Sequence, residues 1–192
     1  MCLVMSAILE IPEVRQRVSR LSVEEYHRLD EFNDNGRRTE LIRGILIEKM
    51  SESPLHPILA SRLYHWLFTQ LPEGYSAWKE EPLTLADSEP EPDISVTLGT
   101  ESAFAAAHPT TAELVIEVAV SSPTLDRENA SLYAEAGVKE YWIVLGPDRR
   151  VEVYRQPGNG RYRESLQFGF DAILQCASVP AVRIPVADLF AQ

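Results

Sequence analysis

The alternation of apolar and polar positions along the chain predicts short buried strands separated by amphipathic helices. Residues 114–120 form the clearest apolar run, which is rich in β-branched residues and is typical of a strand buried on both faces. Similar runs predict strands at 75–85, 94–98 and 138–145, with 151–154 pairing back on the last of them. Helical patterns lie between these runs, so the sequence predicts an α/β fold with a mixed central sheet.

Two helices are predicted to flank this sheet. Apolar residues recur at helical spacing over 57–71, and Pro57 suits the first turn of a helix that follows a loop at 51–56. A second helix is expected over 123–136, with Gly137 as the glycine that ends it.

The N-terminal part is predicted to hold an irregular arm, a helix and a β-hairpin. Residues 1–20 form the arm. Ser22 and Glu25 have the spacing of a capping box, which begins a helix that ends near the turn residues 33–36. Two short apolar segments flank Gly44 at 40–47 and predict the hairpin.

The composition is that of one globular domain over residues 1–192, with 45% hydrophobic and 24% charged residues. A net charge of −11 argues against broad non-specific binding to nucleic acid, although it leaves room for a local basic groove. No run approaches the ~20 apolar residues of a membrane span, and Cys2 and Cys176 belong to no metal-spacing motif. We therefore expect a cytoplasmic protein without a membrane partner.

Two carboxylates stand on strands that are predicted to be neighbours. Asp93 begins one strand, and Glu117 lies inside the next. A buried, unpaired carboxylate is costly, so Glu117 must be neutral, paired with a cation such as Arg37 or Arg38, or bound to a metal ion. Mg²⁺ or Mn²⁺ accepts carboxylate oxygens, waters and phosphate oxygens. We therefore predict a metal site at Asp93 and Glu117.

The helix over 123–136 contributes one polar residue to the face that should pack on the sheet. Leu125, Asn129, Leu132 and Ala136 share a face by their spacing, and Asn129 is the polar one. We expect Asn129 to point toward Asp93 and Glu117.

A series of motifs extends along nearly the whole chain. They are Glu40-Leu41-Ile42-Arg43-Gly44, Met50, His56, Pro92-Asp93, Glu117-Val118, Ser121-Ser122-Pro123-Thr124, Asp126, Tyr133 and Gly137-Val138-Lys139-Glu140-Tyr141-Trp142. Together they resemble the Uma-two family of predicted restriction endonucleases, a branch of the PD-(D/E)XK nuclease superfamily.

The resemblance implies a restriction-endonuclease-like core that hydrolyses phosphodiester bonds of DNA with Mg²⁺. Asp93 corresponds to the metal-binding Asp of the family, and Glu117 corresponds to its metal-binding Glu. The backbone carbonyl of Val118 is implied as a further metal ligand.

The lysine of the superfamily is missing from both expected positions. The residue two after Glu117 is Ala119, and Asn129 stands four before Tyr133, where the Uma-two family has its lysine. An amide can position water but carries no charge, so weakened activity is expected. Other lysines that could supply the charge, although the sequence does not place them, are Lys49, Lys79 and Lys139.

Glu40 and His56 are candidate accessory residues. Glu40 begins the hairpin, where a solvated strand end is about as strongly indicated as a role near the metal. His56 precedes a helix, and a capping or packing role is favoured over metal ligation. Ser122 is expected to cap the next helix, and Asp126 is expected to interact with its dipole.

Two functions of different kinds follow from these residues. The first is a metal-dependent nuclease with DNA as substrate, and the second is a non-catalytic protein of the same fold that binds or regulates. Asp93 and Glu117 favour the first, whereas Asn129 favours the second. A homodimer is also expected. The resemblance implies it, because nuclease-fold proteins of this kind often pair to meet two strands, and the apolar segments 179–186 and 189–190 could cover a partner unless they fold back onto their own domain.

Overall fold

The computed structural model describes residues 11–30, 38–49 and 53–191. Several sequence predictions lie outside these described residues. They concern most of the arm at 1–10, the helix end at 33–36, the start of the loop at 51–56, and the residues Cys2, Arg37 and Met50.

The described chain contains five α-helices, one 3₁₀ turn and ten strands. The helices are α1 Pro12–Arg15, α2 Val23–Asp30, α3 Leu55–Gln70, α4 Thr124–Glu135 and α5 Val186–Leu189, and the 3₁₀ turn is Glu101–Phe104. The strands are β1 Thr39–Ile42, β2 Ile45–Glu48, β3 Tyr75–Lys79, β4 Ile94–Leu98, β5 Leu114–Ala119, β6 Glu140–Leu145, β7 Arg150–Gly158, β8 Arg161–Phe168, β9 Ile173–Gln175 and β10 Arg183–Pro185.

Six strands form the central sheet in the order β3-β4-β5-β6-β7-β8. The pair β5 and β6 is parallel and the other pairs are antiparallel, so the sheet is mixed. Parallel strands need a crossover connection, which is usually a helix, and α4 lies in the connection between β5 and β6. The predicted α/β fold with a mixed central sheet is confirmed.

The two faces of the sheet carry separate apolar cores. Leu114, Ile116 and Val118 of β5 belong to the core that includes α3. Val115 and Ala119 belong to the core on the opposite face, which includes α4. This division follows from the alternation of side chains along a strand. Glu117 therefore has the parity of the α4 face.

The local signals near the N-terminus produce the predicted structures. Ser22 and Glu25 form the capping box: the Ser22 N–H donates to Glu25 Oε2 over 2.8 Å, and the Glu25 N–H donates to Ser22 Oγ over 3.2 Å. The hairpin β1–β2 turns at Arg43 and Gly44, which have φ values of 54° and 74°. Positive φ at both residues is the geometry of a two-residue hairpin loop.

Other predictions need correction. The strand predicted over 75–85 is shorter, because β3 ends at Lys79 and the next residue, Glu80, has a φ of 54°. The segment that follows is irregular, and its Pro82, Pro90 and Pro92 have no N–H to donate to a neighbouring strand. Helix α3 begins at Leu55, so His56 lies inside the helix and not before it.

The start of α4 also differs from its prediction. Pro123 is the residue before the first helical position, and the Ser122 Oγ accepts only a long 3.4 Å hydrogen bond from the Thr124 N–H. Leu125 is 42% exposed and does not share the buried face of Asn129 and Leu132. In the predicted arm, α1 forms one turn of helix.

The apolar C-terminal segments fold back onto their own chain. Val179, Val182, Ile184, Val186 and Leu189 are buried in the α3-side core. They are therefore not free to cover a partner, and the predicted homodimer loses the observation on which it was based. None of the helices in the described ranges has the length and the apolar character that crossing a membrane requires.

Candidate nuclease active site

Asp93 and Glu117 lie side by side where β4 begins. The register pairs Ile94 with Ile116, so the next pair along the two strands is Asp93 with Glu117. The Asp93 N–H donates to Glu117 Oε2 over 3.2 Å, and Asp93 Oδ2 accepts the Val118 N–H over 2.6 Å. The antiparallel register thus brings together the two predicted carboxylates.

Helix α3 brings His56 to this pair. His56 lies in the first turn of the helix and is buried, and its Nε2 is 3.0 Å from Asp93 Oδ2. The same carboxylate oxygen therefore contacts the imidazole and the Val118 N–H. This contact fixes the orientation of Asp93 and makes His56 part of the site.

Helix α4 covers Glu117 from the opposite side. The Tyr133 hydroxyl donates to Glu117 Oε1 over 2.9 Å, and Tyr133 is fully buried. Asn129, one turn earlier on the helix, is 6% exposed. A spacing of four residues puts Asn129 and Tyr133 on one helix face, so Asn129 faces the same region as the predicted metal site.

The hairpin contributes Glu40 and Lys49. Lys49 Nζ is 3.1 Å from Glu40 Oε1, and it donates to the backbone carbonyl of Glu91 over 2.8 Å. Glu40 Oε1 also accepts the Glu91 N–H over 2.8 Å. Glu40 is therefore held by hydrogen bonds and is not a solvated strand end.

Burial and neighbouring negative charges govern the electrostatics of the site. Burial raises the pKa of Glu117 well above its ordinary value, and the carboxylates of Asp93, Asp126 and Glu40 raise it further. Burial likewise raises the pKa of Asp126 to about 6, and Asp93 and Glu40 add to the effect. Four carboxylates thus repel one another in one small region, which favours a cation among them.

Lys49 shares this electrostatic environment. Burial lowers the pKa of its amine, but the carboxylates of Glu40, Glu117 and Glu91 more than compensate, so the pKa lies above its ordinary value. The Lys49 ammonium is therefore charged at neutral pH.

The chemistry of these donors fits Mg²⁺ or Mn²⁺ better than a softer metal. Among the described residues, no group of three or more His, Cys, Asp or Glu side chains is arranged to hold a metal ion. Mg²⁺ does not require such a cage, because it is commonly bound by one or two carboxylates together with waters and substrate phosphates. The adjacent carboxylates of Asp93 and Glu117 match that requirement.

The geometry excludes a pairing of Glu117 with Arg38, whereas Arg37 lies outside the described residues. Arg38 pairs with Glu80 over 2.8 Å and with Glu91 over 2.7 Å, and not with Glu117. Of the three lysines considered, Lys79 pairs with Glu80 over 3.6 Å and Lys139 is exposed. Lys49 is the one of the three that lies beside the carboxylates.

The sequence interpretation named Lys49, Asp126 and Tyr133 but placed none of them in this region. Helical spacing would have found two of them, because positions 126 and 133 lie three before and four after Asn129. The hairpin register would have found Lys49. Glu40 pairs with Ile47, and the next-but-one position, Lys49, emerges on the same side of the hairpin as Glu40.

A solved structure with this fold supports the architecture. The chain is similar to a structure described as a "putative nuclease belonging to DUF820" from Anabaena variabilis, with a TM-score of 0.75 and 22% identity. The similarity covers 88% of this chain and 97% of that one. No curated protein matches the chain.

The family model described as "Putative restriction endonuclease" matches residues 23–187. This range includes both carboxylates, the hairpin and α4. The chain belongs to the Uma2 family.

Proposed function

We propose that this protein is a Mg²⁺-dependent endonuclease that hydrolyses phosphodiester bonds of DNA, with Mn²⁺ as an alternative metal. The observation that carries the proposal is the pairing of Asp93 with Glu117, joined by the 3.2 Å hydrogen bond from the Asp93 N–H to Glu117 Oε2. Membership of the Uma2 family supports a nucleic acid as substrate.

Asp93 and Glu117 would hold the metal ion, with the backbone carbonyl of Val118 as a further ligand. The bound ion supplies an activated water and positive charge for the phosphate. The Val118 N–H and His56 hold Asp93 in place, and Tyr133 holds Glu117. Fixed ligands reduce the reorganisation that metal and substrate binding require.

Asn129 would orient a water or a phosphate oxygen beside this pair. Its amide donates and accepts hydrogen bonds but supplies no positive charge. Loss of one charge-stabilising group commonly reduces a rate by about 10²–10³. If no other cation acts here, native activity should be weak and Asn129→Lys should raise it.

A cleavage assay tests the proposal directly. Native protein is incubated with plasmid, linear duplex and single-stranded DNA, and with RNA, in Mg²⁺, Mn²⁺ or EDTA. We expect metal-dependent cleavage of DNA that is lost in Asp93→Asn and Glu117→Gln. Glu128→Gln is the matched control, because Glu128 lies on α4 with its side chain exposed. Cleavage that persists in both site variants would show that the active site lies elsewhere.

The alternative is a non-catalytic protein that keeps the carboxylate site for binding or regulation. Metal binding without cleavage of any substrate, in both the native chain and Asn129→Lys, would favour it. A homodimer also remains a proposal, since such nucleases often act on two strands. Sedimentation at tens of micromolar tests it, in the range suited to ordinary interfaces.

A further inference from the structure

We propose that Lys49, from the end of the hairpin, supplies the positive charge that Asn129 cannot supply. The inference depends on the proposed nuclease function, because the charge would act on the phosphate being cleaved. It assigns a catalytic role to a residue far in sequence from both carboxylates, one of which directly precedes β4 while the other lies in β5.

The hairpin holds Lys49 in a defined place. At the turn, the Gly44 carbonyl accepts the Leu21 N–H over 2.9 Å, and the Gly44 N–H donates to the Asp87 carbonyl over 2.8 Å. At the open end, the Lys49 N–H donates to the Arg38 carbonyl over 2.9 Å. The turn is therefore held to other parts of the chain, and the backbone from which the lysine extends is held by the opposite strand of the hairpin.

The ammonium faces the acidic site. It lies 3.1 Å from Glu40 Oε1 and 3.5 Å from Glu91 Oε2, and it interacts electrostatically with Glu117. Glu40 in turn interacts electrostatically with both Glu117 and Asp126. The side chain of Lys49 is 19% exposed, so its charge is only partly screened by water.

Other cations near this region have different partners. Arg38 is engaged by Glu80 and Glu91, and Arg127 forms a two-bond pair with Glu152 over 3.0 and 2.6 Å. Neither of them donates a described hydrogen bond to Asp93 or Glu117, and nor does Lys49; the difference is that the Lys49 ammonium interacts electrostatically with Glu117. Lys49 is better placed than either to meet a phosphate held at the carboxylate pair.

The reaction itself balances without a further reagent. The oxygen of water forms a bond to phosphorus, the bond from phosphorus to the leaving sugar oxygen breaks, and a proton released from the water passes through solvent to that oxygen. The Lys49 ammonium forms no covalent bond. It keeps its protons and stabilises the negative charge that develops on the phosphate, as an electrostatic group does in a preorganised site.

The alternative role for Lys49 is structural, as the counter-charge of Glu40 and Glu91. The two roles predict different behaviour. A structural lysine would be needed for the carboxylates to hold a metal ion. A catalytic lysine would not be needed, and its removal would leave metal binding unchanged or slightly stronger, because a positive charge near Glu117 opposes a cation.

The test compares five proteins: native, Lys49→Met, Lys79→Met, Asn129→Lys, and Lys49→Met with Asn129→Lys. Lys79 is the matched control, because it also pairs with a glutamate but lies outside the site. Single-turnover cleavage with Mg²⁺ is measured together with Mn²⁺ binding by water-proton relaxation. We expect Lys49→Met to lose about 10²–10³ in rate with Mn²⁺ binding retained. Lys79→Met should match the native chain, and Asn129→Lys should restore much of the lost rate in the double variant.

Each contrary result has a separate meaning. A native rate in Lys49→Met overturns the role of Lys49 and leaves the nuclease proposal standing. If the native chain does not cleave DNA but Asn129→Lys does, the role of Lys49 is likewise overturned and the nuclease proposal still stands. Loss of Mn²⁺ binding together with activity in Lys49→Met would show a structural lysine and overturn the inference. If none of the proteins cleaves any substrate, the proposed function itself is wrong and the inference fails with it.

Discussion

The Tyr133 hydroxyl donates a 2.9 Å hydrogen bond to Glu117 Oε1, and so joins the buried face of α4 to the centre of β5. This bond is the direct link between the helix that carries Asn129 and the strand that carries a predicted metal ligand. It allows the contribution of α4 to the site to be tested without changing any carboxylate.

Tyr133→Phe should therefore weaken both the fold and the metal site. A hydrogen bond to a partly buried acidic group typically contributes about 1–3 kcal/mol, so the free energy of unfolding should fall by about that amount. Mn²⁺ affinity should fall several-fold, because Glu117 loses the group that orients it. Tyr141→Phe is the control, since its hydroxyl donates over 2.9 Å to the backbone carbonyl of Asp126. Equal Mn²⁺ affinity in the two variants would contradict the orienting role.

Glu117→Gln should be folded and, without metal, more stable than the native chain at high pH. Because the pKa of Glu117 is raised by burial and by Asp93, Asp126 and Glu40, the folded state binds this proton more tightly than the unfolded state does. The charged form of Glu117 therefore destabilises the folded state. This destabilisation is absent below 4.5, the pKa of the group in the unfolded chain, and grows as the pH rises toward its pKa in the folded chain. Urea unfolding in EDTA at pH 4.5 and pH 8 measures the difference. An equal effect of the substitution at both pH values would contradict the raised pKa.

Asp126→Asn should flatten the dependence of stability on pH between about 4 and 6. The pKa of Asp126 is raised from 3.8 to about 6, chiefly by burial, so the folded protein holds an extra proton in this range. Stability contributed by this group therefore decreases as the pH rises through that window. Denaturant titrations across the window compare native protein with Asp126→Asn. Asp148→Asn is the control, because Asp148 is exposed.

Mg²⁺ should stabilise the native chain at pH 8 and do little at pH 4.5. At neutral and higher pH the ion relieves repulsion among the carboxylates, and at about 100 times its dissociation constant it should contribute about 2.7 kcal/mol. At low pH it competes with protons. Thermal unfolding in Mg²⁺ and in EDTA checks this expectation, with Glu117→Ala as the variant in which the shift should vanish. A shift of full size in Glu117→Ala would place the ion elsewhere.

Gly44→Ala should disturb the site through the hairpin that carries Glu40 and Lys49. A Cβ at this position would lie 2.6 Å from the Cβ of Arg20 and 2.9 Å from the carbonyl oxygen of Leu21, so the contact between the hairpin turn and these two residues must change. Gly74→Ala is the control, since Gly74 also has positive φ, at 89°, but has open space around it. Both should lose about 1 kcal/mol from backbone strain, but Gly44→Ala should lose more, and it alone should reduce cleavage. Equal effects of the two substitutions would contradict the role of this contact in holding the hairpin.

Local patterns in the sequence determined the elements that depend on neighbours along the chain. The spacing of Ser22 and Glu25 specified a capping box, Gly44 specified a two-residue hairpin turn, and the apolar run around Glu117 specified a buried strand. The helix end at Gly137 is also local: its φ is 74°, and the Val138 N–H donates to the Tyr133 carbonyl over 3.0 Å. These features need only the chain geometry within a few residues.

The contact between the two carboxylates was predicted in part by the sequence and depends in part on the tertiary structure. The sequence predicted that Asp93 and Glu117 lie on neighbouring strands, but their contact depends on the register that pairs Ile94 with Ile116. A shift of one residue would have turned one of the two side chains to the opposite face of the sheet.

The other groups around that pair were decided by packing between distant elements. The hairpin places Lys49 beside Glu40, α3 places His56 3.0 Å from Asp93, and α4 places Tyr133 on Glu117. Periodicity states which side of its own element a residue occupies, but not which other element covers that side. Leu125 shows the reverse case, because α4 exposes it although its spacing matches the buried stripe. Contacts of this kind are set by how the helices and the hairpin pack on the sheet, and only the folded structure contains that information.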